Sequence, residues 1–111
     1  MSSEPVTYRW LTRDTLLHEV KENPRLIRQL AQFSRLLVEL APASPEFASV
    51  EPCARQLMSP AKIIEQLRSG THLLLATTPH DVVGVDQIDL RKGKLYNRFI
   101  AVHPDYQRKI I

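Results

Sequence analysis

Three apolar runs at residues 71–77, 82–90 and 95–102 constrain this chain more than any other feature. Each has strand length and the β-branched and aliphatic residues that suit a pleated surface. Only Thr78-Pro79-His80-Asp81 and Arg91-Lys92-Gly93-Lys94 separate them. A parallel pair needs a crossover of about a dozen residues or more, so connections this short imply an antiparallel meander.

Upstream the period changes. Leu26, Ile27, Leu30, Phe33, Leu37 and Leu40 recur at three- and four-residue spacing, with Arg25, Arg28, Gln32, Arg35 and Glu39 on much of the other face. This predicts an amphipathic helix over 24–40, opened by Asn23-Pro24 and buried against the sheet. Residues 6–11 alternate Val6, Tyr8 and Trp10 with Thr7 and Arg9, the pattern of a half-buried strand. Asp14 is the expected cap of a short helix carrying Leu16, Leu17 and Val20. Ser59-Pro60 opens a helix over 59–68 with Ile63, Ile64 and Leu67 as its apolar face and Gly70 as its stop. Residues 41–58 hold Pro42, Pro45 and Pro52 without a sustained period, which predicts a loop with at most a turn of helix near 54–57. The order strand, helices, three strands defines an α+β fold: a mostly antiparallel four-stranded sheet with helices packed on it.

A length of 111 residues accommodates a single domain, and 43% hydrophobic with 24% charged residues excludes disorder as the default state. Fifteen Lys and Arg against twelve Asp and Glu give a net charge of +3. That balance suits an anionic partner without the lopsidedness of a dedicated nucleic-acid binder. The basic cluster at 91–94 reads as a solubility device at a hairpin tip, so no nucleic acid is expected as a partner. The longest apolar stretches, such as Leu73-Leu74-Leu75-Ala76, fall far short of the roughly 20 residues a membrane span needs. The first residues carry no basic stretch followed by an apolar segment, so the expectation is a cytoplasmic protein without a membrane partner. Cys53 is the only cysteine, and His18, His72, His80 and His103 lack metal-ligand spacing, so neither an internal disulfide nor a metal is expected.

The most informative segment is Phe99-Ile100-Ala101-Val102-His103-Pro104-Asp105-Tyr106-Gln107-Arg108-Lys109. An apolar strand ends at Val102, Pro104 breaks the ladder, and a polar, basic turn leads toward a helix start. Backbone N–H groups there, reinforced by Arg108 and Lys109, favour an anion. The run resembles the coenzyme A signature of the GCN5-related N-acetyltransferase (GNAT) superfamily: a strand ending in Val, Pro two residues on, then Gln or Arg before a glycine-rich turn. Residues 6–11, 24–40 and 59–68 are similar to the family's first strand and first two helices, and Val82-Val83-Gly84-Val85 to its third strand. The resemblance covers nearly the whole chain. It departs at the glycines: Ile110 stands where the first would fall, and the sequence stops at Ile111, before the second. The chain thus looks like the family's N-terminal half, truncated within the coenzyme A motif.

The resemblance implies acetyl-CoA as cosubstrate and acetyl transfer to a primary amine on a small molecule or peptide, impaired by truncation. It assigns main-chain bonds to pantetheine and the thioester oxygen to Ile100, Ala101 and Val102. Gln107, Arg108, Lys109, Ile110 and Ile111 are implied to line the pyrophosphate. Asp86 and Asn97 are the candidates for deprotonating or orienting the amine, with Asp89 and Tyr96 beside them in sequence. The alternative is an inactive remnant serving as a dimerisation or interaction module. In that case the edge of strand 95–102, with Leu95, Phe99 and Ile100, recruits another copy.

Overall fold

Connections as short as those in the meander leave each strand beside its sequence neighbour. The computed structural model describes residues 5–107, with the backbone alone at 90 and 91. Strands β1 (Thr7–Leu11), β2 (His72–Thr77), β3 (Val82–Arg91) and β4 (Lys94–Val102) form a four-stranded antiparallel sheet in the order β1-β2-β3-β4. Lys92 and Gly93 join β3 to β4 with φ of 51° and 76°. Paired left-handed residues of this kind give a two-residue hairpin whose twist matches its strands.

Between β1 and β2 run α1 (Leu16–Glu22), α2 (Leu26–Leu40), α3 (Pro45–Arg55) and α4 (Pro60–Arg68). The stripe of α2 is buried as its spacing predicts, through Leu26, Ile27, Leu30, Phe33 and Leu37. The helix begins after Arg25 and not at Pro24, because the Asn23 carbonyl accepts from the Leu26 N–H in a separate preceding turn. At α1 the cap position is Thr15, not Asp14. The Thr15 hydroxyl donates to the Trp10 carbonyl at 3.2 Å, tying the turn to β1. Helix α1 buries no residue completely, and Leu17 and Val20 face solvent. Ser59 caps α4 by accepting from the Lys62 N–H. Gly70, at φ 102°, closes it while Thr71 N–H reaches the Gln66 carbonyl and Gly70 N–H the Leu67 carbonyl.

Residues 41–58 correct the expectation of a loop: they form a 3-10 turn, Ala41–Ala43, followed by the eleven-residue α3. Pro45 sits in the first turn, where its missing N–H has no helical partner to lose. Pro52 forfeits a single bond, to the carbonyl of Ala48, an exposed residue reached by solvent. Phe47, Val50, Ala54 and Leu57 nonetheless keep helical spacing and join the core. Three prolines hid that stripe.

Cross-strand registry sorts the sheet into rows. Toward the helices lie Arg9–Leu75–Val85–Ala101 and Leu11–Leu73–Gln87–Phe99; on the opposite face lie Tyr8–Ala76–Gly84–Val102 and Trp10–Leu74–Asp86–Ile100. The core joins the first face to Leu30, Leu37, Leu57, Ile63 and Leu67, each such burial contributing about 1.5–3 kcal/mol. Phe99, expected along an apolar edge, is buried toward the helices, whereas Leu95 and Ile100 are exposed. Registry shifts between Gln87 and Ile88: Phe99 opposes the first and Asn97 the second, which leaves Arg98 as an extra residue in β4. No helix among the described residues is long and apolar enough to cross a membrane.

Candidate functional site

The open face holds a hollow of about 170 Å³. Its floor is Ala76 and Gly84, neighbours across β2 and β3, and its ends are Tyr8 and Val102 in the same row. Asp86, flanked by Leu74 and Ile100 in the adjoining row, lines one side. The bulge at Arg98 carries Asn97 onto this face, where its side chain hydrogen-bonds Asp86. Desolvation raises the Asp86 carboxyl above its ordinary value, and the Asn97 bond partly offsets that rise. Asp86 Oδ1 is buried with no hydrogen-bond partner among the described residues. A half-buried carboxylate held by an amide is a competent acceptor for a proton or a cation.

Asp86 and Asn97 are thus brought together. Asp89 and Tyr96 pair across the strands away from them, and the Asp89 carboxylate receives Arg98 Nη1 at 3.3 Å and the Thr71 hydroxyl at 3.5 Å. Asp89 is therefore tied into the α4–sheet junction.

Among the described strands, β4 is outermost and its free edge has no strand partner. Side chains alternate along its end: Ile100 exposed, Ala101 buried, Val102 half-buried. The His103 N–H extends the ladder by donating to the Val83 carbonyl at 2.8 Å. Pro104–Tyr106 then forms a single 3-10 turn. Two N–H groups of this turn are already engaged, while the helix start and basic residues expected to hold an anion fall at 107–111, mostly outside the described residues. Asp105 N–H donates to His103 Nδ1 and Tyr106 N–H to the His103 carbonyl, because His103 folds over its own turn as a cap. Gln107 is engaged as well, donating to Glu46 Oε1 at 3.1 Å and to the Val102 carbonyl at 3.3 Å. Arg108, Lys109, Ile110 and Ile111 lie outside the described residues. A cavity of about 370 Å³ opens beside this turn, lined by Gln29, Gln32 and Phe33 of α2 and by His103, Asp105 and Tyr106.

A third space, of about 380 Å³, lies where α3 and α4 meet the sheet and is lined by Pro52, Cys53, Gln56, Gln66, Gln87 and Arg98. Gln87 is 2% exposed and its Oε1 has no partner among the described residues. Sequence reasoning passed over Gln87 and Ala76, and placed Gly84 only within the run resembling the family's third strand. The available signal for the floor was a glycine inside a strand pattern, which marks close approach of backbone or ligand. No three His, Cys, Asp or Glu side chains assemble among the described residues. No family model, curated protein or solved structure matches this chain.

Proposed function

We propose that this chain is a GNAT-type acyltransferase domain that takes acetyl-CoA as cosubstrate and acetylates a primary amine. The observation that carries the reading is the free outer edge of β4, ending at Val102-His103-Pro104 beside the Asp86–Asn97 pair. An extended amide-bearing ligand such as pantetheine adds to a strand edge through main-chain bonds, here along Ile100, Ala101 and Val102. The element order also supports it, with α1 to α4 between β1 and β2 and a meander after them.

In this reading the amine nitrogen attacks the thioester carbonyl carbon; the C–N bond forms, the C–S bond breaks and the thiolate leaves. Asp86 accepts the proton released by the amine, directly or through water, and Asn97 orients the carboxylate. The raised pKa of Asp86 makes it a stronger base than an exposed carboxylate. A backbone N–H at the β4 edge meets the developing oxyanion. The phosphate end of the cosubstrate falls to residues 107–111, where Ile110 stands in place of the first glycine of the signature.

Calorimetric titration with acetyl-CoA tests the reading, together with thiol release when an amine is added. A β-branched Ile110 where the signature has glycine implies a weak Kd of about 0.1–1 mM, or −4 to −5.5 kcal/mol. Absence of saturable binding up to about 10 mM withdraws the proposal. The exposed Leu95 and Ile100 on the outermost strand favour a second reading, an interaction module pairing through β4 without catalysis. Self-association with no thiol release would select it.

A further inference from the structure

We propose that the hollow on the open face of the sheet binds a free primary monoamine with an apolar substituent. Its ammonium lies at Asp86, and its substituent lies over Ala76 and Gly84 against Tyr8. This names the acceptor in the acyl-transfer reading, and it rests on that reading for the fate of the bound amine.

Gly84 and Ala76 stand side by side in neighbouring strands. A glycine inside a strand costs about 0.5–1 kcal/mol relative to alanine and packs nothing. Tyr8 and Val102 close the two ends of this row, so the missing side chains create a walled depression and not a flat surface.

Asp86 is the one charged residue in the two open-face rows. Its nearest row neighbours are Leu74 and Ile100, its Oδ1 is buried and unpartnered among the described residues, and the side-chain bond it receives comes from the neutral Asn97. Neighbouring arginines serve the other face, Arg9 with Glu19 and Arg98 with Asp89. A desolvated carboxylate without a counter-ion is unfavourable, and an entering cation relieves it.

Two aromatic rings share this face, Tyr8 at 53% and Trp10 at 47% exposure. Of the two, Tyr8 lines the hollow, where its ring body covers an alkyl chain. The volume of about 170 Å³ suits a small ligand. A polyamine would carry its further charges over Leu74, Ala76 and Ile100, and a carboxylate would meet Asp86 as a like charge. The arrangement therefore selects one positive charge on an apolar stem.

Occupancy is read by calorimetry, with the fluorescence of Trp10, the only tryptophan in the chain and a member of the same row as Asp86, as a second signal. The whole chain, without coenzyme A, is titrated with n-pentylamine, pentanoate, spermidine and N-acetyl-lysine amide at neutral pH. The expected result is a saturable change with pentylammonium, weakened about tenfold or more in Asp86→Asn through loss of the charged contact. Tyr8→Ala, which alters a half-exposed ring, should also weaken binding and keeps the test decisive if Asp86→Asn fails to fold. The assignment is overturned by unchanged affinity in either folded variant or by no saturable response. It is also overturned if pentanoate, spermidine or the lysine amide binds as tightly as pentylamine, since apolar capture, general cation attraction or a peptide occupant would then explain the site. Coenzyme A is absent from the titration, so its outcome is independent of whether acetyl-CoA binds or transfer occurs.

Discussion

Replacing Gln87 by methionine should make the protein more stable. Gln87 is the single polar member of the row Leu11–Leu73–Gln87–Phe99, is 2% exposed and leaves Oε1 without a hydrogen-bond partner. An unsatisfied buried carbonyl costs about 1–3 kcal/mol. Methionine keeps the length of the side chain, removes that oxygen and sets a polarizable sulfur beside Leu73 and Phe99. Gln87 also lines the cleft with Cys53, Gln56 and Gln66, and losing the amide's hydration there costs about 1 kcal/mol or less. The net expectation is a gain of about 1–2 kcal/mol, which for a domain of this size raises Tm by about 4–8 °C. Urea unfolding followed by Trp10 fluorescence should move to a higher midpoint with unchanged slope. A loss of more than about 1 kcal/mol in Gln87→Met would refute the reasoning, because it would mean that Oε1 is satisfied, by water in the cleft or by a ligand.

Burial raises the pKa of Asp86 above 3.8, so the fold favours the protonated form. The resulting stability is present below the ordinary carboxylate range and is lost as pH rises through the raised pKa. Asp86→Asn, uncharged throughout, should therefore melt increasingly above wild type as pH rises from the ordinary carboxylate range through the raised pKa; a gap independent of pH in thermal scans contradicts this. Phe47→Ala should cost about 3–5 kcal/mol by chemical denaturation, since Phe47 is 4% exposed under α3; a change below about 1 kcal/mol would mean that α3 is not part of the core. Ile100→Lys should reduce concentration-dependent self-association in sedimentation equilibrium while leaving circular dichroism unchanged, because a lysine on an outer strand disfavours edge pairing. A chain that is monomeric at all concentrations before the substitution removes β4 as an interface.

Connection lengths and local periods made the meander and α2 legible from sequence. Four residues at 78–81 and the pair Lys92-Gly93 leave no room for a crossover, so adjacency and direction of β2, β3 and β4 follow from the chain itself. The stripe from Leu26 to Leu37 likewise states which face of α2 is covered. Helix α3 was concealed because proline content outweighs a short stripe in any local reading, while burial of Phe47 and Ala54 against other elements outweighs one lost hydrogen bond. The candidate site needed tertiary structure most of all. Alternation separates Asp86 from Asp89 onto opposite faces, but an uninterrupted ladder would have set Asn97 opposite Asp89. The extra residue Arg98 slips the register by one and turns Asn97 toward Asp86. Whether a strand carries such a bulge depends on packing Phe99 inward and pairing Arg98 with Asp89 at the same time. Those contacts form between segments and have no counterpart in the local pattern of either strand.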